Sequence, residues 1–207
     1  MADDPLIDDA LKDLPDFDME LGRRGISYQL PILKSWMPHL AQIALLWGVF
    51  EHRRDRFLEN MFLVSNTTPP NGWKGRKGKK RHQLFLQQVD LLLDDNSPLR
   101  TYLHEVVAEA VIIQKKRNAI MHGQPGLSAN PIRLVIHDYQ KDGSVEVSEF
   151  NEMSLKELFY DISLLVGRFS RITPPYMSPP SLSSSDISLL QRLWAKDYPT
   201  PPTQRVP

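Results

Sequence analysis

Three long stretches of the chain repeat apolar residues every three to four positions, which is the period of an amphipathic α-helix. The first follows Trp36, the second follows Pro98 and ends at Gly123, and the third covers residues 155–169. A shorter stretch over residues 83–94 has the same period. The pattern predicts an all-α fold, a bundle of three long helices and one short helix.

A different period interrupts the helical pattern between residues 132 and 150. The first run there alternates between two sets of residues, Arg133, Val135 and His137 on one side and Leu134 and Ile136 on the other. A Lys-Asp-Gly-Ser turn separates this run from a second one at residues 145–150. Alternation around such a turn is typical of a β-hairpin. We expect a small β-hairpin inserted into the helical domain.

The two ends of the chain differ in composition from its middle. Residues 1–29 form an acidic arm, with eight acids and one lysine in the first 20 positions, and show no sustained period. Residues 173–207 are rich in serine and hold eight of the 17 prolines, a composition that disfavours a packed core. We therefore expect the helical domain to cover residues 30–172.

A short apolar helix at residues 187–196 interrupts this C-terminal extension. Its apolar residues are Leu189, Leu190, Leu193 and Trp194. The interpretation we favour is docking onto the parent bundle, and docking onto a partner chain is the alternative.

Residues 66–82 read as an exposed loop, because they combine prolines and glycines with a basic run. The basic residues of this loop are Lys74, Arg76, Lys77, Lys79, Lys80 and Arg81, and Trp73 precedes them. A flexible basic segment with one aromatic residue suits the binding of a nucleic-acid backbone with one stacked base. The alternative is a solvated linker without a ligand.

The composition narrows the functional classes. Lysine plus arginine and aspartate plus glutamate each number 25, so any attraction to nucleic acid must come from local patches. The chain has no cysteine, and its longest apolar run is too short for a membrane helix. The histidines lack metal-ligand spacing, and no phosphate loop or serine-nucleophile motif is present. We expect a cytoplasmic protein without metal, cofactor or membrane contact.

The end of the second long helix carries the most informative motif. Arg117 and Asn118 are followed, after three residues, by His122 and Gly123. This arrangement resembles the HEPN superfamily (higher eukaryotes and prokaryotes nucleotide-binding), in which an arginine, a polar residue and a histidine lie near a helix end. The resemblance in arrangement covers about residues 30–170, and the hairpin and the extension are not part of it.

The resemblance implies a metal-independent endoribonuclease of the toxin or phage-defence kind. In that chemistry the 2′-hydroxyl attacks the neighbouring phosphate and leaves a 2′,3′-cyclic phosphate. His122 would move protons and Arg117 would stabilise the phosphorane, with Lys115 and Lys116 close to the RNA. The family also implies a homodimer through the motif helices, with an antitoxin or another protein as a possible further partner.

The helical stripe itself marks Arg117 as unusual. Arg117 lies on the same stripe of its helix as the apolar residues Val106, Ala110, Ile113 and Ile120. Glu51 likewise lies on the apolar stripe of the first helix. An ion pair between Glu51 and Arg117 would resolve both irregularities. Asn118 is four residues before His122, so its amide is placed to orient the imidazole. The alternative is a purely structural ion pair, with His122 closing the helix.

Two functions from different classes therefore remain. The first is an RNA endonuclease that uses Arg117 and His122. The second is a noncatalytic HEPN-like module for binding or dimerisation, which keeps the bundle and needs neither side chain for chemistry.

Overall fold

The computed structural model describes residues 36–129, 132–139, 143–174 and 182–197. The described ranges contain the five α-helices α1 (Met37–Val64), α2 (Gly78–Leu92), α3 (Pro98–His122), α4 (Glu152–Ser170) and α5 (Ser184–Trp194). The predicted mostly helical class is confirmed. The predicted acidic arm and parts of the C-terminal extension lie outside the described residues. None of the described helices combines the length and the hydrophobicity that a transmembrane segment requires.

A small antiparallel sheet joins α3 to α4. Its strands are β1 (Gln124–Ala129), β2 (Ile132–Tyr139) and β3 (Val145–Phe150), in the order β1-β2-β3. The predicted hairpin is present as β2 and β3, which pair from Leu134 opposite Phe150 to Tyr139 opposite Val145. Strand β1 was not predicted, because its Pro125 and Gly126 are residues that strands disfavour.

The chain divides into two compact units. Of the described residues, the first unit contains 36–45 and 115–160 without the gaps at 130–131 and 140–142, and it holds the sheet, the end of α3 and the beginning of α4. The second unit contains 46–114, 161–174 and 182–197, and it holds α2, α5, the end of α4 and most of α1 and α3. The boundaries fall within α1, α3 and α4.

Aromatic side chains from four helices form the core of the second unit. Phe57 lies 5.7 Å from each of the rings of Phe85, Phe169 and Trp194, measured between centroids. The Trp194 indole also donates a 2.9 Å hydrogen bond to the Ile172 carbonyl. The predicted docking of the tail helix onto its own bundle is therefore confirmed within this unit.

One carboxylate caps two helices in the second unit. Ser183 and Asp186 form a capping box at the start of α5. The Asp186 side chain also accepts a 2.7 Å hydrogen bond from the Ser97 hydroxyl and a 3.4 Å bond from the Leu99 amide. The Ser97 hydroxyl in turn accepts from the Arg100 amide, so it is the N-terminal cap predicted for α3.

The predicted basic loop is shorter than expected. Helix α2 begins at Gly78, so Lys79, Lys80 and Arg81 are helical. Lysine and arginine are good helix formers, and a basic composition therefore does not by itself indicate a loop. A side chain at Gly78 would meet the amide end of Gln114, which would have to move.

Candidate functional site

The predicted motif lies on the last two turns of α3, in the first unit. Arg117 Nη1 donates a 3.1 Å hydrogen bond to Asn118 Oδ1 and lies 3.3 Å from His122 Nε2. A guanidinium offers only donors, so we assign Nε2 as the acceptor and place the imidazole proton on Nδ1. The structure thus brings the predicted arginine and histidine together.

The role predicted for Asn118 is different in the structure. Its amide oxygen binds the guanidinium of Arg117 instead of the imidazole of His122. Asn118 and His122 lie one helical turn apart, and the long side chain of Arg117 contacts both of them. Asn118 therefore orients the arginine.

The Arg117 guanidinium has neutral partners. Arg117 is half-buried, and its buried Nε has no hydrogen-bond partner among the described residues. Among the described residues of its own unit it makes no ion pair with a carboxylate. A half-buried cation with an unpaired N–H is a costly arrangement that an anion would relieve. His122 beside it is exposed.

Gly123 fixes the end of the motif helix against the sheet. Its amide donates a 2.9 Å hydrogen bond to the Ala119 carbonyl. A side chain at Gly123 would overlap Ile136 of β2. The left-handed conformation predicted for this glycine does not occur, since only Gly72 and Gly143 among the described glycines have positive φ. The glycine is required for space, and it holds the helix end close to β2.

The two lysines before Arg117 are exposed. Lys115 Nζ lies 2.8 Å from Glu146 Oε1 on β3, so this cation is paired with the sheet. Exposed ion pairs of this kind are weak, so the RNA contact predicted for Lys115 stays a prediction.

Glu51 belongs to the second unit and has cationic partners there. Its carboxylate accepts a 2.8 Å hydrogen bond from Arg81 Nη2 and lies 3.8 Å from Arg54 Nη2. Because Glu51 and Arg117 belong to different units, their predicted ion pair stays a prediction.

Arg54 and Asp55 complete a charged group that sequence reasoning missed. Arg54 Nη2 and Arg81 Nη1 donate to opposite oxygens of the Asp55 carboxylate, at 2.7 and 2.6 Å. We call Glu51, Arg54, Asp55 and Arg81 the α1–α2 ion cluster. Arg54 is fully buried, and burial lowers the pKa of its guanidinium while Asp55 offsets part of this effect. The available signal was the position of Arg54 on the same buried stripe as Trp47 and Leu58.

The basic residues predicted to bind RNA separate into two groups. Lys74 forms an ion pair with Glu59, and Arg81 belongs to the α1–α2 ion cluster. The others are Arg76, which is half-buried, and the exposed Lys77, Lys79 and Lys80. The base-stacking role of Trp73 is wrong, because this side chain is only 6% exposed and packs 6.1 Å from Phe62.

The described residues contain no group of three or more potential ligands that could hold a metal ion. Comparisons of the chain with protein-family models, with curated proteins and with solved structures find no match. The class of the protein therefore has to be inferred from the arrangement of its own side chains.

Proposed function

We propose that the chain is a cytoplasmic, HEPN-like RNA endonuclease of the toxin or phage-defence kind that cleaves without a metal ion. The observation that supports this proposal is the 3.3 Å contact between Arg117 and His122 at an exposed helix end. A planar cationic fork beside an imidazole that can accept and donate a proton is what phosphate-ester cleavage requires.

The guanidinium is suited to an incoming phosphate because its present partners are neutral. The Asn118 amide oxygen and the imidazole nitrogen each accept weaker hydrogen bonds than an anionic oxygen does. A phosphate oxygen would satisfy the unpaired Nε of Arg117 as well. The exchange would release the His122 nitrogen, which then becomes available as a base.

The reaction uses one attack within the RNA. His122 accepts the proton of the 2′-hydroxyl, the 2′-oxygen bonds to phosphorus, and the bond from phosphorus to the 5′-oxygen breaks. A second acid protonates the departing 5′-oxygen, and the products are a 2′,3′-cyclic phosphate and a 5′-hydroxyl. In a homodimer through the α3 helices, His122 of the second copy supplies that acid.

The test incubates the purified protein with mixed RNA in the presence of a chelator. We expect products with cyclic-phosphate ends, and we expect Arg117→Ala and His122→Ala to slow cleavage by about 100-fold or more. Arg171→Ala and His52→Ala, which remove an exposed arginine and an exposed histidine, are the matched controls and should cleave at the wild-type rate.

Either of two results would overturn the proposal. Equal cleavage by all five proteins would indicate a contaminating nuclease, and no cleavage of any RNA by the folded wild type would remove the activity. In the second case, noncatalytic binding or dimerisation becomes the function that the structure supports better than RNA cleavage. Exposed Val111 and Ile112 on α3 favour that candidate, since 46% and 63% of these apolar side chains are open to contact by another chain.

A further inference from the structure

One face of α2 lines a cleft in the second unit. The cleft has a volume of about 370 Å³ and is lined by Arg76, Lys80, Gln83, Leu84 and Gln87. Lys80, Gln83, Leu84 and Gln87 have the spacing i, i+3, i+4 and i+7, so they share one face of α2. The cationic side chains of Arg76 and Lys80 and the amides of Gln83 and Gln87 therefore line the cleft together with Leu84, which is 6% exposed.

The polar side chains of this cleft have no partners within the described part of the chain. Neighbouring cations are already paired, Lys74 with Glu59 and Arg81 with Asp55 and Glu51. Gln88, on another face of α2, is bonded to Ser65 and Thr67. Arg76 and Lys80, by contrast, make no ion pair there, and Gln83 and Gln87 make no side-chain hydrogen bond.

We propose that this cleft is a nucleotide-binding subsite for single-stranded RNA. Arg76 and Lys80 hold a backbone phosphate, and the Gln83 and Gln87 amides contact the edge of the adjacent base. The RNA as ligand rests on the proposed function, while the existence of the cleft does not.

The amides are what favour RNA over an acidic peptide. A carboxylate needs only donors, whereas a base edge presents donors and acceptors, and each glutamine offers both. Leu84 supplies an apolar floor, and Leu91, one turn beyond Gln87 on the same face, is 60% exposed. Apolar surface beside polar groups suits the flat face of a base. The volume also falls within the range of about 300 to 1,000 Å³ that ligand sites occupy.

The test measures binding apart from cleavage. Fluorescent 2′-O-methyl homopolymers lack the attacking hydroxyl, so anisotropy with the full chain reports binding alone. We expect the double variant Arg76→Ala/Lys80→Ala to bind at least tenfold more weakly. Its slope of log affinity against log salt should become shallower by about 0.7 for each phosphate that the variant no longer neutralises. The matched control Lys77→Ala/Lys79→Ala removes the same charge from the same segment outside the cleft and should have a smaller effect.

Substitution of the two glutamines should change RNA binding in a different way. We expect Gln83→Ala/Gln87→Ala to leave the salt slope unchanged and to alter the affinity ratio between homopolymers by about threefold or more. Equal weakening of RNA binding by Arg76→Ala/Lys80→Ala and by Lys77→Ala/Lys79→Ala would contradict the proposed subsite. Unchanged ratios of affinity between homopolymers in the glutamine variant would contradict it as well. An acidic peptide that displaces the RNA at equal charge would also contradict it. Cleavage plays no part in these measurements, so failure of the proposed function remains distinguishable.

Discussion

Two arginines on the helices of this protein have opposite surroundings. Arg54 is fully buried, and its guanidinium binds the Asp55 carboxylate through two nitrogens and lies near Glu51. Arg117 is half-buried, and its partners are an amide oxygen and an imidazole nitrogen. Each has one buried nitrogen without a partner among the described residues.

The difference separates a cation that stabilises the fold from one that is available to a ligand. Arg54 is neutralised by carboxylates on its own helix, and a ligand would have to break a buried ion pair to reach it. Arg117 has no such competitor among the described residues of its own unit, so an anion gains a charge-assisted hydrogen bond by replacing neutral acceptors. The same substitution at both positions tests this contrast.

The largest effect is expected at Arg54. Arg54→Met keeps an unbranched, flexible side chain but removes the guanidinium and leaves part of the Asp55 and Glu51 charge uncompensated. We expect the free energy of unfolding to fall by about 3 kcal/mol or more. Urea denaturation followed by circular dichroism measures this change. A loss no greater than that of Arg117→Met would contradict a stabilising role for the α1–α2 ion cluster.

A second effect concerns the pH dependence of stability at His82, which is 2% exposed beside this cluster. Burial and the charge of Arg54 lower the pKa of His82 to about 4 from 6.5, and Arg81 adds to the effect against the opposing influence of Gln114 and Asp55. The unfolded chain binds this proton near pH 6.5 and the folded chain does not. Stability therefore falls as the pH drops from 6.5 to 4, by on the order of 3 kcal/mol.

Urea denaturation at several pH values checks this prediction, with His82→Gln as the control without a titrating group. The slope of stability between pH 6.5 and 4 should be shallower in the variant. Carboxylates whose pKa is lowered in the folded chain, such as Asp197 beside Arg56, also lose stability as the pH approaches 4, but they do so in both proteins and cancel in the comparison. Equal slopes in both proteins would show that another group is responsible.

The smallest change in stability is expected at Arg117. Arg117→Met removes two hydrogen bonds to neutral partners and an unpaired buried N–H, so the gains and losses nearly cancel. We expect the free energy of unfolding to change by less than about 1 kcal/mol. A loss comparable to that at Arg54 would indicate that Arg117 is structural and would weaken the contrast between the two residues.

The sequence predicted the elements that have a strong local pattern. The period of three to four residues located α1, α3 and α4, and the Ser97-Pro98 pair located the beginning of α3. The alternation from Arg133 to His137 located the buried Leu134 and Ile136 of β2. These features depend on neighbours within a few positions, so they can be read from the chain alone.

Features that depend on distant residues were missed. Strand β1 forms because β2 offers a pairing edge, although Pro125 and Gly126 disfavour a strand. Arg81 lies 30 positions after Glu51, and no local pattern indicates that the two side chains meet. The contact between Arg117 and His122 was not predicted, although it lies within one helix, because the sequence indicated Asn118 as the partner of the imidazole and the actual pairing depends on the side-chain rotamers.

The capping role of Asp186 has a consequence for the synthesis of the protein. This carboxylate bonds to Ser97 and to the Leu99 amide at the first turn of the helix that ends in the motif. The two segments are separated by 87 residues in the chain. A ribosome must therefore translate as far as Asp186 before the helix that carries Arg117 and His122 receives its final cap. A nascent chain that stops before Asp186 leaves this helix start incomplete.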